Sequence, residues 1–335
     1  MKAIVYERHG GVEELELRDV PDPVAGEGEA LLRVRASGLN GFDPMMLQGS
    51  TGLKVPFPMT PCGDAAGEIV DLGPNAGAEG FSRGDRVMLD PSIPGGGMFG
   101  ETIPGTCREL IVAPVSSLVP MPEEVTFAQA AAIPVAYGTA LHMMEDRGRV
   151  SRGEKVLVLG ATGGVGCCCV QLAKRVGAEV AATGRGAQKL ERLRELGADH
   201  VIDTSEADFV ETIRQVWGRP KYKQAGSGAD VVVNYIGGDT WARSLKVLGH
   251  GGRMITCGAT AGYDPPTDIR YIWSFEQTII GSDGWTRDGL VRLLDWAAQG
   301  TLAPVIHAER PIEETARAMQ ELIDREVFGK SILVP

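Results

Sequence analysis

The sequence predicts an α/β fold in two parts, a mostly antiparallel β domain and a doubly wound parallel sheet. Three observations carry that expectation. Short extended patterns separated by Gly and Pro fill about the first 120 residues, strand and helix patterns alternate from about Phe127 onward, and one glycine-rich turn joins the first strand of the alternation to its helix. At roughly 150 residues per domain, a chain of 335 residues has room for two domains, each with its own core.

Taken in order, the extended patterns of the first part lie at residues 2–7, 14–19, 30–37, 65–72, 86–89 and 108–114. Short strands broken so often by turn residues suit antiparallel neighbours, which tight connections can join. A helical stretch begins at Ala128-Gln129-Ala130-Ala131-Ala132 and resumes past Pro134 in Tyr137-Gly138-Thr139-Ala140-Leu141. Lys155-Val156-Leu157-Val158-Leu159 then opens the alternation, followed by a helix over 165–176, a strand over 179–183 and a helix over 188–196. Leu190, Leu193 and Leu196 recur in that last helix at helical spacing. Strands at 201–202 and 231–233 flank a helix over 206–217, and 253–256 and 278–281 supply two more. Unbroken apolar runs of this kind belong to strands covered on both faces, as in a parallel sheet. Residues 220–228 read as an exposed loop. The last segment holds an amphipathic helix over 312–324 and a strand over 331–334, more easily placed with the β domain. The expected domains are residues 1–124 with 305–335, and residues 125–304.

Composition narrows the function. A chain that is 43% hydrophobic and 23% charged is an ordinary packed one, and a formal net charge of -11 with no Lys/Arg cluster excludes nucleic acid as a partner. No window holds the roughly 18 apolar residues of a membrane span, and Met1-Lys2-Ala3-Ile4-Val5-Tyr6 runs straight into a strand pattern. No membrane partner is expected, and the cytoplasm is the expected location. The six cysteines form no Cys-x-x-Cys pair. Cys167-Cys168-Cys169 lie in the helical pattern, where consecutive residues point about 100° apart, so they read as packing thiols. The five histidines, His9, His142, His200, His250 and His307, form no metal pattern.

The chemistry concentrates in Leu159-Gly160-Ala161-Thr162-Gly163-Gly164-Val165-Gly166, which follows a predicted strand and opens a predicted helix. That context makes it a dinucleotide fingerprint, with Ala161 where the first glycine is usual. Gly163 lets the backbone approach a pyrophosphate, Gly166 lets helix and strand pack closely, and the helix N-terminus offers free N–H groups to the phosphates. An NAD site carries a carboxylate at the end of the second strand, for the ribose 2′-hydroxyl. Here that strand ends in Ala182-Thr183-Gly184-Arg185, so Arg185 and Lys189, with a hydrogen bond from Thr183, are the expected contacts of a 2′-phosphate, and NADP is the favoured cofactor. The alternative is that Arg185 and Lys189 are solvated residues at a helix start.

Further motifs surround this turn. They include Gly63-Asp64-Ala65-Ala66-Gly67-Glu68-Ile69-Val70, Gly84-Asp85-Arg86-Val87, Ala131-Ala132-Ile133-Pro134, Tyr137-Gly138-Thr139-Ala140, Leu196-Gly197-Ala198-Asp199 and Gly251-Gly252-Arg253. In order and spacing the whole chain resembles the medium-chain dehydrogenase/reductase superfamily. The resemblance implies a GroES-like antiparallel β-barrel domain and a Rossmann domain. In the family's zinc alcohol dehydrogenases the catalytic metal ligands match Asn40, Gly63 and Ala131 here, and the structural zinc lobe matches the cysteine-free stretch 91–106, including 94–100. Neither zinc is therefore expected. Without a Lewis acid the resemblance favours the zinc-free branch, the zeta-crystallin type of quinone oxidoreductase and the related enone reductases, which pass hydride from NADPH to a small electron-poor acceptor. Asn40-x-x-Asp43 matches that branch, whereas Met45 departs from the Tyr of several members.

On this resemblance Asn40 hydrogen-bonds an acceptor carbonyl, Asp43 orients it, and Cys62 and Asp64 line the pocket; the bland alternatives are a loop-capping amide, a loop-fixing ion pair and a buried thiol. The resemblance also places Tyr137, Thr139, Asn234, Ile236, Gly258, Ala259, Thr260, Gly281, Ser282 and Lys330 on the cofactor, beside Ala161, Thr162, Gly163, Gly164, Val165, Gly166, Thr183 and Gly184. It implies a homodimer or homotetramer through the Rossmann sheets. Two other functions stand beside this one, a metal-dependent alcohol dehydrogenase and a non-catalytic NADP-binding protein.

Overall fold

The computed structural model describes residues 1–93 and 95–335. Pro94, the first residue of the stretch 94–100, lies outside them. The chain divides into two compact units, residues 1–138 with 286–335, and residues 139–285.

The first unit is built on β3 (Glu29–Gly38), β4 (Asp64–Leu72), β5 (Arg86–Leu89), β8 (Leu110–Pro114), β9 (Leu118–Pro120), β16 (Ile306–Pro311) and β17 (Lys330–Val334). Its hydrogen-bonded order is β16-β17-β3-β4-β5-β9, and β8 pairs with the start of β3. All pairs are antiparallel except β16 with β17. β8 and β9 sit at opposite ends of the run β8-β3-β4-β5-β9, yet only the turn Val115–Ser117 separates them in the chain. The barrel is therefore closed by this turn, with no ladder between β8 and β9. Inside lie Leu32, Val34, Ile69, Val87, Leu89, Ile111 and Leu118, alternating along their strands with exposed residues such as Arg33 and Arg35. Two short antiparallel pairs complete the strands: β1 (Lys2–Val5) with β2 (Glu16–Asp19), and β6 (Ser92–Ile93) with β7 (Gly97–Met98).

This unit takes in more chain than residues 1–124 and 305–335. The helix Phe127–Ala131, started by a Thr126/Gln129 capping box, continues into the irregular helical run Pro134–Gly138. Val135 N–H donates to Asp64, and Val305 N–H donates to the Tyr137 hydroxyl at 2.8 Å. Arg287 likewise donates to the carbonyls of Ser116 and Leu118. Polar backbone groups thus tie 125–138 and the start of the helix Arg287–Ala298 to the β strands.

The second unit is a six-stranded sheet of β10 (Lys155–Val158), β11 (Glu179–Gly184), β12 (His200–Asp203), β13 (Ala229–Val233), β14 (Leu248–Thr256) and β15 (Thr278–Gly281). The order is β12-β11-β10-β13-β14-β15 and every pair is parallel. The central strands are covered on both faces: Val156, Leu157, Val158, Val231, Val232 and Val233 have no exposed surface. The helix expected from 206 begins at Phe209, because Asp208 caps it through Val210 and Glu211 N–H. Helices Asp43–Gln48, Asp239–Leu245 and Ile269–Ser274, and strand β16, carry no strong periodic signal and are seen only in the structure. Arg253 grips Glu154 with two bonds, at 2.7 and 2.8 Å, and holds the entry to β10.

Candidate active site

In the first unit, register gathers three polar side chains from distant parts of the chain. β17 pairs with β3 as Ile332↔Gly38 and Leu333↔Ser37, and β4 pairs with β3 as Asp64↔Gly38. Two residues further along the first register, Lys330 faces Asn40, and Leu39 N–H to Ser331 carbonyl at 3.0 Å carries the pairing that far. The Lys330 ammonium donates to Asn40 Oδ1 at 2.5 Å and to Asp64 Oδ2 at 2.9 Å, and Asn40 Nδ2 donates to the same Asp64 oxygen at 2.9 Å. The other Asp64 oxygen accepts Val135 N–H at 2.9 Å, a donor orphaned where Pro134 starts the helical run. Asp64 is fully buried and Lys330 is 2% exposed, while Asn40 is only half-buried. Close packing makes the site possible: a Cβ on Gly38 would lie 2.3 Å from the Ala131 carbonyl.

Lys330, expected on the cofactor, thus lies under Asn40 as the buried partner of Asp64. Asp43 fixes the backbone of the same loop. One oxygen accepts Asn40 N–H at 2.7 Å and the other accepts Cys62 N–H at 2.8 Å, which steadies Cys62 at φ 71°. Burial pushes the Asp43 carboxyl up to about 6, against the two backbone N–H bonds that hold it down. With a folded value above the unfolded one near 3.9, its contribution to stability is fully present below about pH 4 and lost as pH rises through about 6. A carbon-detected NMR titration is expected to find the Asp43 midpoint near 6; a midpoint below 4 contradicts this environment. Cys62 is buried and burial raises its thiol pKa, which makes it a packing residue and a poor nucleophile.

In the second unit the glycine turn has the shape a pyrophosphate requires. Helix Gly164–Val176 starts at Gly163 with no side-chain cap, and nearest to a Cβ added at the exposed Gly163 is the Gly160 carbonyl, 3.8 Å away. The helix's first turn therefore has no side-chain cap and leaves room beside Gly163 for a ligand. At Gly166 a Cβ would sit 2.5 Å from the Gly160 carbonyl and 2.6 Å from Ala161 Cα. The turn is braced behind by Tyr235, whose hydroxyl donates to the Gly160 carbonyl at 2.6 Å, and by Thr183, whose hydroxyl accepts Gly160 N–H at 3.0 Å. These residues fit a nicotinamide dinucleotide. The buried Ser282 hydroxyl, with no protein partner among the described residues, adds a polar group that a ligand would satisfy.

Several expected contacts are spent otherwise. Thr183 is 3% exposed and its hydroxyl serves the glycine turn, bonding Gly160 and, at 3.5 Å, the Val158 carbonyl. The Asn234 amide is consumed locally, accepting from Ile236 N–H, Gly237 N–H and Thr240, and donating to Ser244 at 2.9 Å. It shapes the turn before helix Asp239–Leu245. Tyr137 is buried in the first unit, its hydroxyl bonded to Val305 N–H, and the Gly281 carbonyl is taken by Arg147 at 3.0 Å. Gly258, Ala259 and Thr260 follow β14 at the carboxyl edge of the sheet, where Thr260 N–H bonds the Tyr235 carbonyl at 3.3 Å. Thr139 begins the second unit and is half-buried. Ile236 and Thr162 are also half-buried, Thr162 packing where a Cβ on Gly184 would meet it at 2.9 Å.

Arg185 is exposed at the end of β11, its Nε 3.4 Å from the Thr204 hydroxyl. Asp203 was not anticipated as its neighbour. It ends β12, which pairs with β11 as Gly184↔Asp203, and its carboxylate accepts Gly186 N–H at 3.1 Å and both donors of Ser205. The bonds from Ser205 hold that carboxyl below its ordinary value. Cys167, Cys168 and Cys169 are all fully buried, their thiols pushed up by burial, and no group of three or more metal-ligating residues occurs among the described residues. Among the described residues no helix is long and apolar enough to cross a membrane.

Residues 26–123 match the family model described as the alcohol dehydrogenase GroES-like domain, and residues 164–299 that of a zinc-binding dehydrogenase. The chain is 30% identical to a quinone oxidoreductase of Mus musculus over all of its length and 98% of the relative's. A solved structure described as an NAD-dependent alcohol dehydrogenase superposes over the whole of both chains with a TM-score of 0.91 at 32% identity. A cobalt- and zinc-bound thermostable alcohol dehydrogenase from Pyrobaculum aerophilum gives a TM-score of 0.87 at 30% identity, covering 100% of this chain and 99% of that one.

Proposed function

Because the chain belongs to the medium-chain dehydrogenase/reductase superfamily, in its quinone oxidoreductase-like branch, we propose that it is a zinc-independent, NADPH-dependent reductase of quinones or α,β-unsaturated carbonyls. The observation that carries this reading is the Lys330 ammonium, 2.5 Å from Asn40 Oδ1. Of the three positions that match metal ligands, Gly63 and Ala131 have no donor side chain, and the one that has a donor atom already holds a cation.

The glycine turn of residues 160–166 would hold the pyrophosphate, with Arg185 and Lys189 at the adenosine end. When bound, the reduced nicotinamide supplies a hydride. Asn40 meets the acceptor oxygen and donates an N–H to the negative charge that develops there as the acceptor's carbon or ring takes the electron pair. Water supplies the proton. Replacing Asn40 with alanine is expected to lower kcat roughly 100-fold with naphthoquinone, the scale of one lost donor to a developing oxyanion. Arg185→Ala is expected to raise the Kd for NADPH about tenfold and leave NADH within about twofold, measured by fluorescence titration; equal weakening of both sinks the 2′-phosphate reading. The reading as a whole is tested by an acceptor screen of quinones, enones, enals and alcohols with both cofactors, run beside metal analysis of the purified protein. The likeness to alcohol dehydrogenases, one of them holding zinc, favours a second reading, and stoichiometric zinc with alcohol turnover would establish it.

A further inference from the structure

We propose that Lys330 is a positioning residue, which locks the Asn40 carboxamide in the one orientation that presents an N–H outward; this rests on the reading that Asn40 meets the acceptor oxygen. A carboxamide has an acceptor end and a donor end of nearly equal size, and rotation by half a turn exchanges them. Only the donor end stabilises a developing negative charge; the carbonyl end would repel it. The neighbours of Asn40 remove that freedom. An ammonium can only donate, so the amide atom 2.5 Å from Lys330 is the oxygen. A carboxylate can only accept, so the atom 2.9 Å from Asp64 is the nitrogen. In the flipped amide N–H would face the ammonium and the carbonyl oxygen would face the carboxylate, and both contacts repel.

One Nδ2 hydrogen is spent on Asp64, and the second has no acceptor among the described residues. It belongs to the half-buried residue of the three, whereas the ammonium beneath it is 2% exposed. The cation on the amide oxygen also draws electrons from the nitrogen and makes the remaining N–H a better donor. Asp64 takes part twice, as the anchor of the ammonium and as the acceptor that selects the nitrogen. Its second oxygen, held by Val135 N–H, stops the carboxylate from turning away.

The test is a mutant cycle with the pair neutralised together, so that no charge is left buried alone. Wild type, Asn40→Ala, the double variant Lys330→Met with Asp64→Asn, and the triple variant are compared for kcat with naphthoquinone and for NADPH Kd by fluorescence titration. The expected result is a loss of about 100-fold in kcat for Asn40→Ala and for the double variant, less than about twofold further loss in the triple, and an NADPH Kd within about twofold throughout. Additive losses overturn the proposal, as does a rise of tenfold or more in NADPH Kd in the double variant, which would put Lys330 on the cofactor. An unchanged kcat in Asn40→Ala overturns the reading of Asn40 itself and is recognised by that variant alone. Should the double variant not fold, the wild-type side-chain amide decides. A through-hydrogen-bond coupling between Asn40 Nδ2 and the Asp64 carboxyl carbon supports a locked amide, and its absence overturns the proposal.

Discussion

Gly166→Val is expected to weaken NADPH binding roughly 100-fold or more, a loss of about 2.7 kcal/mol, while the rest of the sheet stays folded. The cause is backbone. The added side chain would stand 2.5 Å from the Gly160 carbonyl, 2.6 Å from Ala161 Cα and 2.6 Å from the Tyr235 hydroxyl. Tyr235 could swing away, but the other two atoms are the floor of the turn and cannot yield without moving Gly163 and the uncapped start of helix Gly164–Val176. On the proposed reading that turn brings N–H groups to the pyrophosphate, so its displacement is expected to remove several charge-assisted bonds at once. Fluorescence titration with NADPH reads the loss, and circular dichroism checks the fold. An affinity within threefold of wild type would show that the pyrophosphate lies elsewhere.

Asp64→Ala is expected to cost the fold about 3–5 kcal/mol, the usual penalty for removing one partner of a buried ion pair. The Lys330 ammonium would keep only the Asn40 carbonyl and, at 2% exposure, has no water to turn to, and Val135 N–H would lose its acceptor. Replacing the pair together, Lys330→Met with Asp64→Asn, should recover more than half of the loss, because no isolated charge remains. Urea denaturation of the three proteins measures both quantities. A loss below 1 kcal/mol for Asp64→Ala would mean that the cluster is open to solvent.

The parallel sheet was largely legible along the chain. Its strands are unbroken runs such as Val156-Leu157-Val158, apolar on both faces, and its helix Ala187–Glu195 buries Leu190 and Leu193 at helical spacing, patterns that burial imposes locally. The short helices Asp43–Gln48 and Asp239–Leu245 were not legible, since two turns carry too few apolar repeats to stand out and are held by tertiary contacts such as Asp43 to Cys62. The glycine turn and the residue types at positions 40, 63 and 131 could likewise be read directly, because each is a matter of which atoms a residue does or does not carry. So could the absence of a carboxylate at the end of β11.

What those residues meet was decided only by the tertiary structure. Lys330 and Asn40 are 290 positions apart, and their meeting depends on the register of β17 against β3, which no local pattern encodes. Asp203 reaches the neighbourhood of Arg185 because β12 and β11 are neighbours in the sheet, and there its carboxylate is taken up by Gly186 N–H and Ser205. Asn234 and Thr183 have the donors and acceptors a cofactor could use, yet the folded backbone claims them first, since a buried N–H or carbonyl left unpaired costs more than a side chain kept at home. A sequence determines which groups exist and where the chain bends; which of those groups remain available is set by pairing across the fold.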